Sequence, residues 1–176
     1  MKRVTSSCML AAASLALAAP SAQDPVALVE RSLAGASVTF AGASATASAY
    51  SVSWPASSSL LALIFSNEAR SASEADRVRS FTVSAPLDAA NRLPSASRDA
   101  LLRVSDALNR ACFSHAPRSL GTVVDAALAN RLARLSVRRE TRVSVEDGEG
   151  GGRVLRLTFV LPSGGMPSCA MHVPRR

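Results

Sequence analysis

Apolar residues along this chain recur at two different spacings, and each change of spacing marks the boundary of an element. From Asp24 to Leu33 the spacing is helical, with Asp24 placed as an N-cap and Pro25 at the first helical position, so a short helix is predicted there. The period then drops to two. Ser37–Phe40 and Ala47–Trp54 alternate small polar with larger apolar side chains up to Pro55, and Leu60–Phe65 is a compact apolar run. These are three strands, the third buried. Ser66–Arg77 is polar and reads as a loop or an exposed turn of helix. A fourth strand follows over Val78–Ala85, with Phe81, Val83 and Ala85 on one face and Pro86 at its end.

Helical spacing returns after Pro94. Ser95 or Ser97 caps a helix on which Leu101, Val104, Leu108, Ala111 and Cys112 lie together, opposite Arg103, Asp106 and Arg110. A second helix is predicted from a capping arrangement at Thr122–Asp125, with Val124, Leu128, Leu132 and Leu135 as its buried stripe and Arg131, Arg134 and Arg138 flanking it. That flank is a candidate anion-binding face, although long arginine stems along a solvated helix give the same pattern. Two more alternating stretches, Thr141–Val145 and Val154–Leu161, are joined by the turn-forming run Asp147–Gly152, and Leu155, Leu157, Phe159 and Leu161 face the core. The predicted fold is α+β, with an antiparallel or mixed β-sheet, two adjacent helices packed on one face, a short N-terminal helix and one disulfide.

The first residues change the setting of this domain. Lys2 and Arg3 precede an apolar run from Cys8 to Ala19, shorter than the roughly 20 residues a membrane-spanning helix needs, which is the pattern of a cleavable signal peptide. Residues 1–22 are therefore expected to be removed, after Ala22 or alternatively after Ala18, leaving 23–176 as a single domain without a transmembrane segment. The location expected is periplasmic or secreted.

Charge narrows the function classes. Of 20 Lys and Arg, Lys2 and Arg3 leave with the signal, so 18 cations face 13 acids in the mature chain, and Lys2 is the only lysine. Ser–Lys and Schiff-base chemistry are thereby excluded. Arginines scattered among acids, with few aromatics, do not make the clustered cationic surface that nucleic-acid binding needs. The run Gly148–Gly152 is not a phosphate loop, because a strand pattern rather than a helix follows it. Glu146, Asp147 and Glu149 lack the ligand spacing of a calcium loop.

Candidate chemistry concentrates in two segments. Beyond the signal, every cysteine, histidine and methionine lies in Cys112–His115 or Met166–His172, giving two Cys-x-x-His copies. In an oxidising compartment Cys112 and Cys169 are expected to pair, closing a long loop. The competing reading takes Cys112, His115, Cys169 and His172 as a tetrahedral zinc set, or with the thioethers a copper site. A strand over Ser168–Val173 argues against it, since Cys169 and His172 would then face apart. A third reading uses His115 and His172 as general acid and base on a phosphodiester. Ser114 beside His115 has no nucleophile elbow around it and does not suggest a serine hydrolase.

The first expectation is thus an exported, non-catalytic binding or assembly protein of the cell envelope. It takes no cofactor, and its partner is an unidentified protein or envelope component. A basic exported nuclease or phosphodiesterase built on His115 and His172 is the alternative, and a zinc- or copper-binding protein the next.

Overall fold

The computed structural model describes residues 24–55, 57–66, 78–112, 120–129, 134–136, 141–148 and 151–160. The chain opens with α1, Pro25–Ser32, where the Asp24 carboxylate accepts a hydrogen bond from the Val26 amide at 2.9 Å. Gly35, at φ +72°, turns the chain out of the helix against Pro55, a conformation that only glycine adopts freely. Four strands follow: β1 Ser37–Ala43, β2 Ala47–Trp54, β3 Ser57–Ser66 and β4 Ser80–Pro86. Two helices come next, α2 Ser95–Cys112 and α3 Leu120–Ala129, and then β5 Arg134–Ser136, β6 Thr141–Asp147 and β7 Arg153–Val160.

The strands form one seven-stranded sheet in the order β1-β2-β3-β4-β7-β6-β5. Every pairing is antiparallel, which resolves the choice between antiparallel and mixed. Register aligns the large apolar side chains in rows across the strands. One row runs Phe40, Tyr50, Leu63, Val83, Leu157, Val143, and the next runs Phe65, Phe81, Phe159, Thr141. Period-two alternation puts all of these on a single face. On that face Phe81 stacks on Phe159 with centroids 4.6 Å apart, and Tyr50 meets both Phe40 and Phe65 edge-on. The three helices supply the other half of one continuous core through Val29, Leu33, Ala100, Leu101, Val104, Leu108, Val124 and Ala127.

Helix α2 packs chiefly on β3 and β4, with α1 on one side of it. On the other side Arg98 of α2 makes a bidentate bridge to Asp125 of α3, so the two helices are neighbours as the pattern predicted. The first turns of α2 lie near Trp54, at the end of the sheet where β2 turns into β3. Helix α2 ends at Cys112.

Two expectations are corrected. The second long helix ends at Ala129 instead of running through Leu135, and Arg134–Ser136 is a short edge strand paired with Arg142–Ser144. Hydrogen bonding to β6 overrides the helical spacing at Leu135, which pairs with Val143. Helix α3 also begins at Leu120, so Thr122 lies inside it and is not its cap. The Cys112 side chain and Cys169 lie outside the described residues, and so does the expected disulfide.

Candidate interaction surface

The second face of the sheet has no described element over it. Its residues are those between the core positions, and register again arranges them in rows: Thr39, Ser51, Ala62, Ser84, Arg156, Ser144 in one, and Ala49, Ile64, Thr82, Thr158, Arg142 in the next. Small hydroxyl and methyl groups dominate, and at its centre the Thr82 and Thr158 hydroxyls lie 3.0 Å apart. Leu60 of β3 also belongs to this face. At 52% exposure it is the one large hydrophobic side chain left open among the described residues.

Charge divides this face into two halves. From Ser32 to Asn67 the chain carries no charged residue, so β1, β2 and β3 are uncharged from end to end. The β6–β7 half is built differently. Arg156 bridges Glu146 at 2.9 Å across neighbouring strands, Ser144 donates to the same carboxylate at 2.7 Å, and Arg142 is exposed beside them. Cations and acids there compensate one another on the surface. The even scatter of arginines among acids expected from the whole chain therefore does not hold locally.

The sheet edges differ as well. One edge is β5, only three residues long and carrying Arg134, which are two of the usual means of discouraging further strand pairing. The other is β1, seven residues, Ser37–Ala43, without a charge or a proline. A bulge between Phe40 and Gly42 bends its second half.

A groove of about 440 Å³ opens on the helical side, between α1, the end of β2 and the start of α2. Its floor is Leu33, Trp54 and Ala100, all buried, and its rim carries Asp99 and Arg103, both exposed. The volume suits a small ligand, but no buried polar side chain lines the floor to orient one.

The sequence-derived candidates are dispersed or undescribed. Cys112 is the last residue of α2, and Arg134 sits in β5 opposite Ser144 rather than on a helix face with Arg131 and Arg138. Of the candidate anion-binding arginines, Arg134 alone is described, and it lies in a strand. Arg131, Arg138, His115, Cys169 and His172 lie outside the described residues. Among the described residues no three His, Cys, Asp or Glu side chains gather as a metal site, and no helix is long and apolar enough to cross a membrane.

Titration is perturbed at structural pairs. Asp88 is held below the usual carboxylate range chiefly by the backbone N–H of Arg92, helped by the Arg92 guanidinium and the Ala90 amide. Arg98 is raised by its hydrogen bonds to Asp125. Neither pair belongs to the open face.

No family model, curated protein or solved structure matches this chain. The surface described above has to be read from its own chemistry. Its signal was present in the sequence as the long uncharged run, which a whole-chain charge balance averages away.

Proposed function

We propose that the chain is an exported envelope protein that acts by binding a partner, and that the uncharged half of its open sheet face, β1 to β3, is the binding surface. The observation carrying this reading is the coincidence of three features on the same strands: no charge from Ser32 to Asn67, the exposed Leu60, and an edge strand without the common protective residues. Uncharged, flat, small-side-chain surface desolvates at little cost, and an exposed apolar group at its margin gains from being covered.

Export rests on the basic start and short apolar run at the N-terminus. In that setting a Cys112–Cys169 disulfide would tie the C-terminal segment to α2. Cys112 is the last residue of α2 and Cys169 lies nine positions beyond the end of β7.

The test is a pair of exposed substitutions, Leu60→Arg with Ala62→Arg, in the full chain expressed with its own N-terminus. The expected result is an unchanged thermal melt together with loss of the complexes recovered after mild cross-linking of the exporting cells. Recovery of the same complexes from the doubly substituted protein would overturn the reading.

A further inference from the structure

We propose that the groove between α1, the end of β2 and the start of α2 is a binding site for a small zwitterion with an apolar side chain, an amino acid or a dipeptide. This site is separate from the open sheet face and uses none of its residues. Every residue that lines it is described.

Small side chains on α2 make the hollow. Ala96, Ala100 and Arg103 follow one another at i, i+4 and i+7 along the helix, with Asp99 beside them. The two alanines keep that stripe low, and Leu33 and Trp54 complete an apolar floor with Ala100. Trp54 keeps 7% of its surface open. The volume of about 440 Å³ falls in the range of small-molecule sites, and an apolar side chain entering it would cover indole and methyl surface.

The rim selects the polar end of the ligand. Asp99 and Arg103 are exposed and four residues apart, the spacing at which Asp106 and Arg110 bridge at 2.8 Å further along the same helix. Asp99 and Arg103 form no ion pair among the described residues, and Arg98, the neighbouring cation, is engaged by Asp125. One carboxylate and one guanidinium therefore stand a single turn apart above an apolar floor. Their charges cancel, which favours a ligand carrying one charge of each sign. Asp99 would take the ammonium, and the planar fork of Arg103 the carboxylate. A phosphorylated ligand would bring its extra negative charge to one arginine beside an acid. A sugar needs more hydrogen-bonding groups than Leu33, Trp54 and Ala100 supply.

Trp54 is the only tryptophan in the chain, so its emission reports on the groove. Titrating the full chain with L-leucine and with leucyl-leucine is expected to give a saturating change in that emission, and the tighter of the two fixes the length of the ligand. N-acetyl-leucine, without the ammonium, and leucinamide, without the carboxylate, are expected to bind about fivefold more weakly or worse. Glycine, without the apolar side chain, is expected not to bind. Arg103→Ala and Asp99→Asn, at exposed positions, should each weaken leucine binding by about fivefold with an unchanged thermal melt. Ala96→Leu should abolish it by filling the hollow. No change in emission with either zwitterion at millimolar concentration, a response to glycine or N-acetyl-leucine equal to that to leucine, or an unaltered affinity in Arg103→Ala would each overturn the proposal.

Discussion

Arg98 of α2 and Asp125 of α3 face each other in a bidentate ion pair, Nε to Oδ1 at 3.0 Å and a terminal nitrogen to Oδ2 at 2.7 Å. Gly121 makes room for it: a methyl group there would meet the Arg98 guanidinium at 3.3 Å. The pair is the described polar link between the two helices over the sheet. Asp125 is 56% exposed and Arg98 32%, so solvent screens much of the attraction. Asp125→Ala is expected to cost about 0.5–1 kcal/mol. The loss should shrink in high salt, as read by denaturant unfolding at two ionic strengths; equal losses at both would contradict the account.

The centre of the sheet should be far less tolerant. Phe159 is 1% exposed, stacks on Phe81 and stands opposite Thr141 in the register. Phe159→Ala should cost about 3–5 kcal/mol in denaturant unfolding, through lost transfer energy and the cavity left behind. Thr158→Ala on the adjacent open-face position removes only a part-buried hydroxyl contact and is expected to cost about 1 kcal/mol or less. Similar losses for the two would mean that the open face is as deeply packed as the core.

Ser105 offers a change in the other direction. Its hydroxyl is fully buried in the middle of α2 with no hydrogen-bond partner among the described residues. Ser105→Ala removes that burden and improves helix propensity, so thermal and denaturant unfolding should show a gain of about 1 kcal/mol. Destabilisation would mean that the hydroxyl has a partner.

Acid should loosen the turn before α2. The Asp88 carboxylate accepts from the Arg92 amide at 2.8 Å, the Ala90 amide at 2.9 Å and the Arg92 side chain at 3.1 Å. These bonds favour the ionised form and lower its pKa in the fold. The sign follows: their stabilising contribution is complete above the unfolded pKa and is lost as the pH falls through the lower folded value. NMR titration of the full chain should show the Ala90 and Arg92 amides shifting together at a pH below about 4, where a free carboxyl titrates. Movement at or above that pH would contradict the account.

The two cysteines give a prediction about the C-terminal segment. They stand 57 positions apart, and by loop-closure entropy a bridge between them contributes roughly 4 kcal/mol. Protein recovered from an oxidising compartment is expected to show no free thiol from this pair and to lose stability with Cys112→Ala or Cys169→Ala. The same preparation should show no RNase or DNase activity. Stoichiometric zinc or copper with both thiols free would instead support the metal reading, and activity abolished by His115→Ala and His172→Ala would support the nuclease.

Much of the fold was legible because one face of each main strand is buried. Phe81, Val83 and Ala85, or Leu155, Leu157 and Phe159, alternate with smaller or polar neighbours, and burial follows that alternation except at Ser84, which is buried as well. Asp24 and Pro25 marked the first helix for an equally local reason. The failures occurred where long-range pairing decides. Leu132 and Leu135 match a helical stripe, but a three-residue edge strand has no period to read and exists through its ladder with β6. Ser57–Ser59 look like loop residues, yet the turn at Trp54 and Ser57 carries β3 back along β2 through them. The open face was harder still, since Ser, Thr and Ala do not announce which side of a sheet is covered. The uncharged run from Ser32 to Asn67 was readable, but gained meaning only when its strands proved to be consecutive in space.

The most direct measurement places a photo-activatable cross-linking residue at Leu60 on β3 or at Arg142 on β6, one at a time, in the full chain within exporting cells. Both positions are exposed on the same face of the same sheet, one in its uncharged half and one in its charged half. The account predicts discrete cross-linked species from Leu60 and none from Arg142. Cross-links from Arg142 alone, or from neither position, would contradict it.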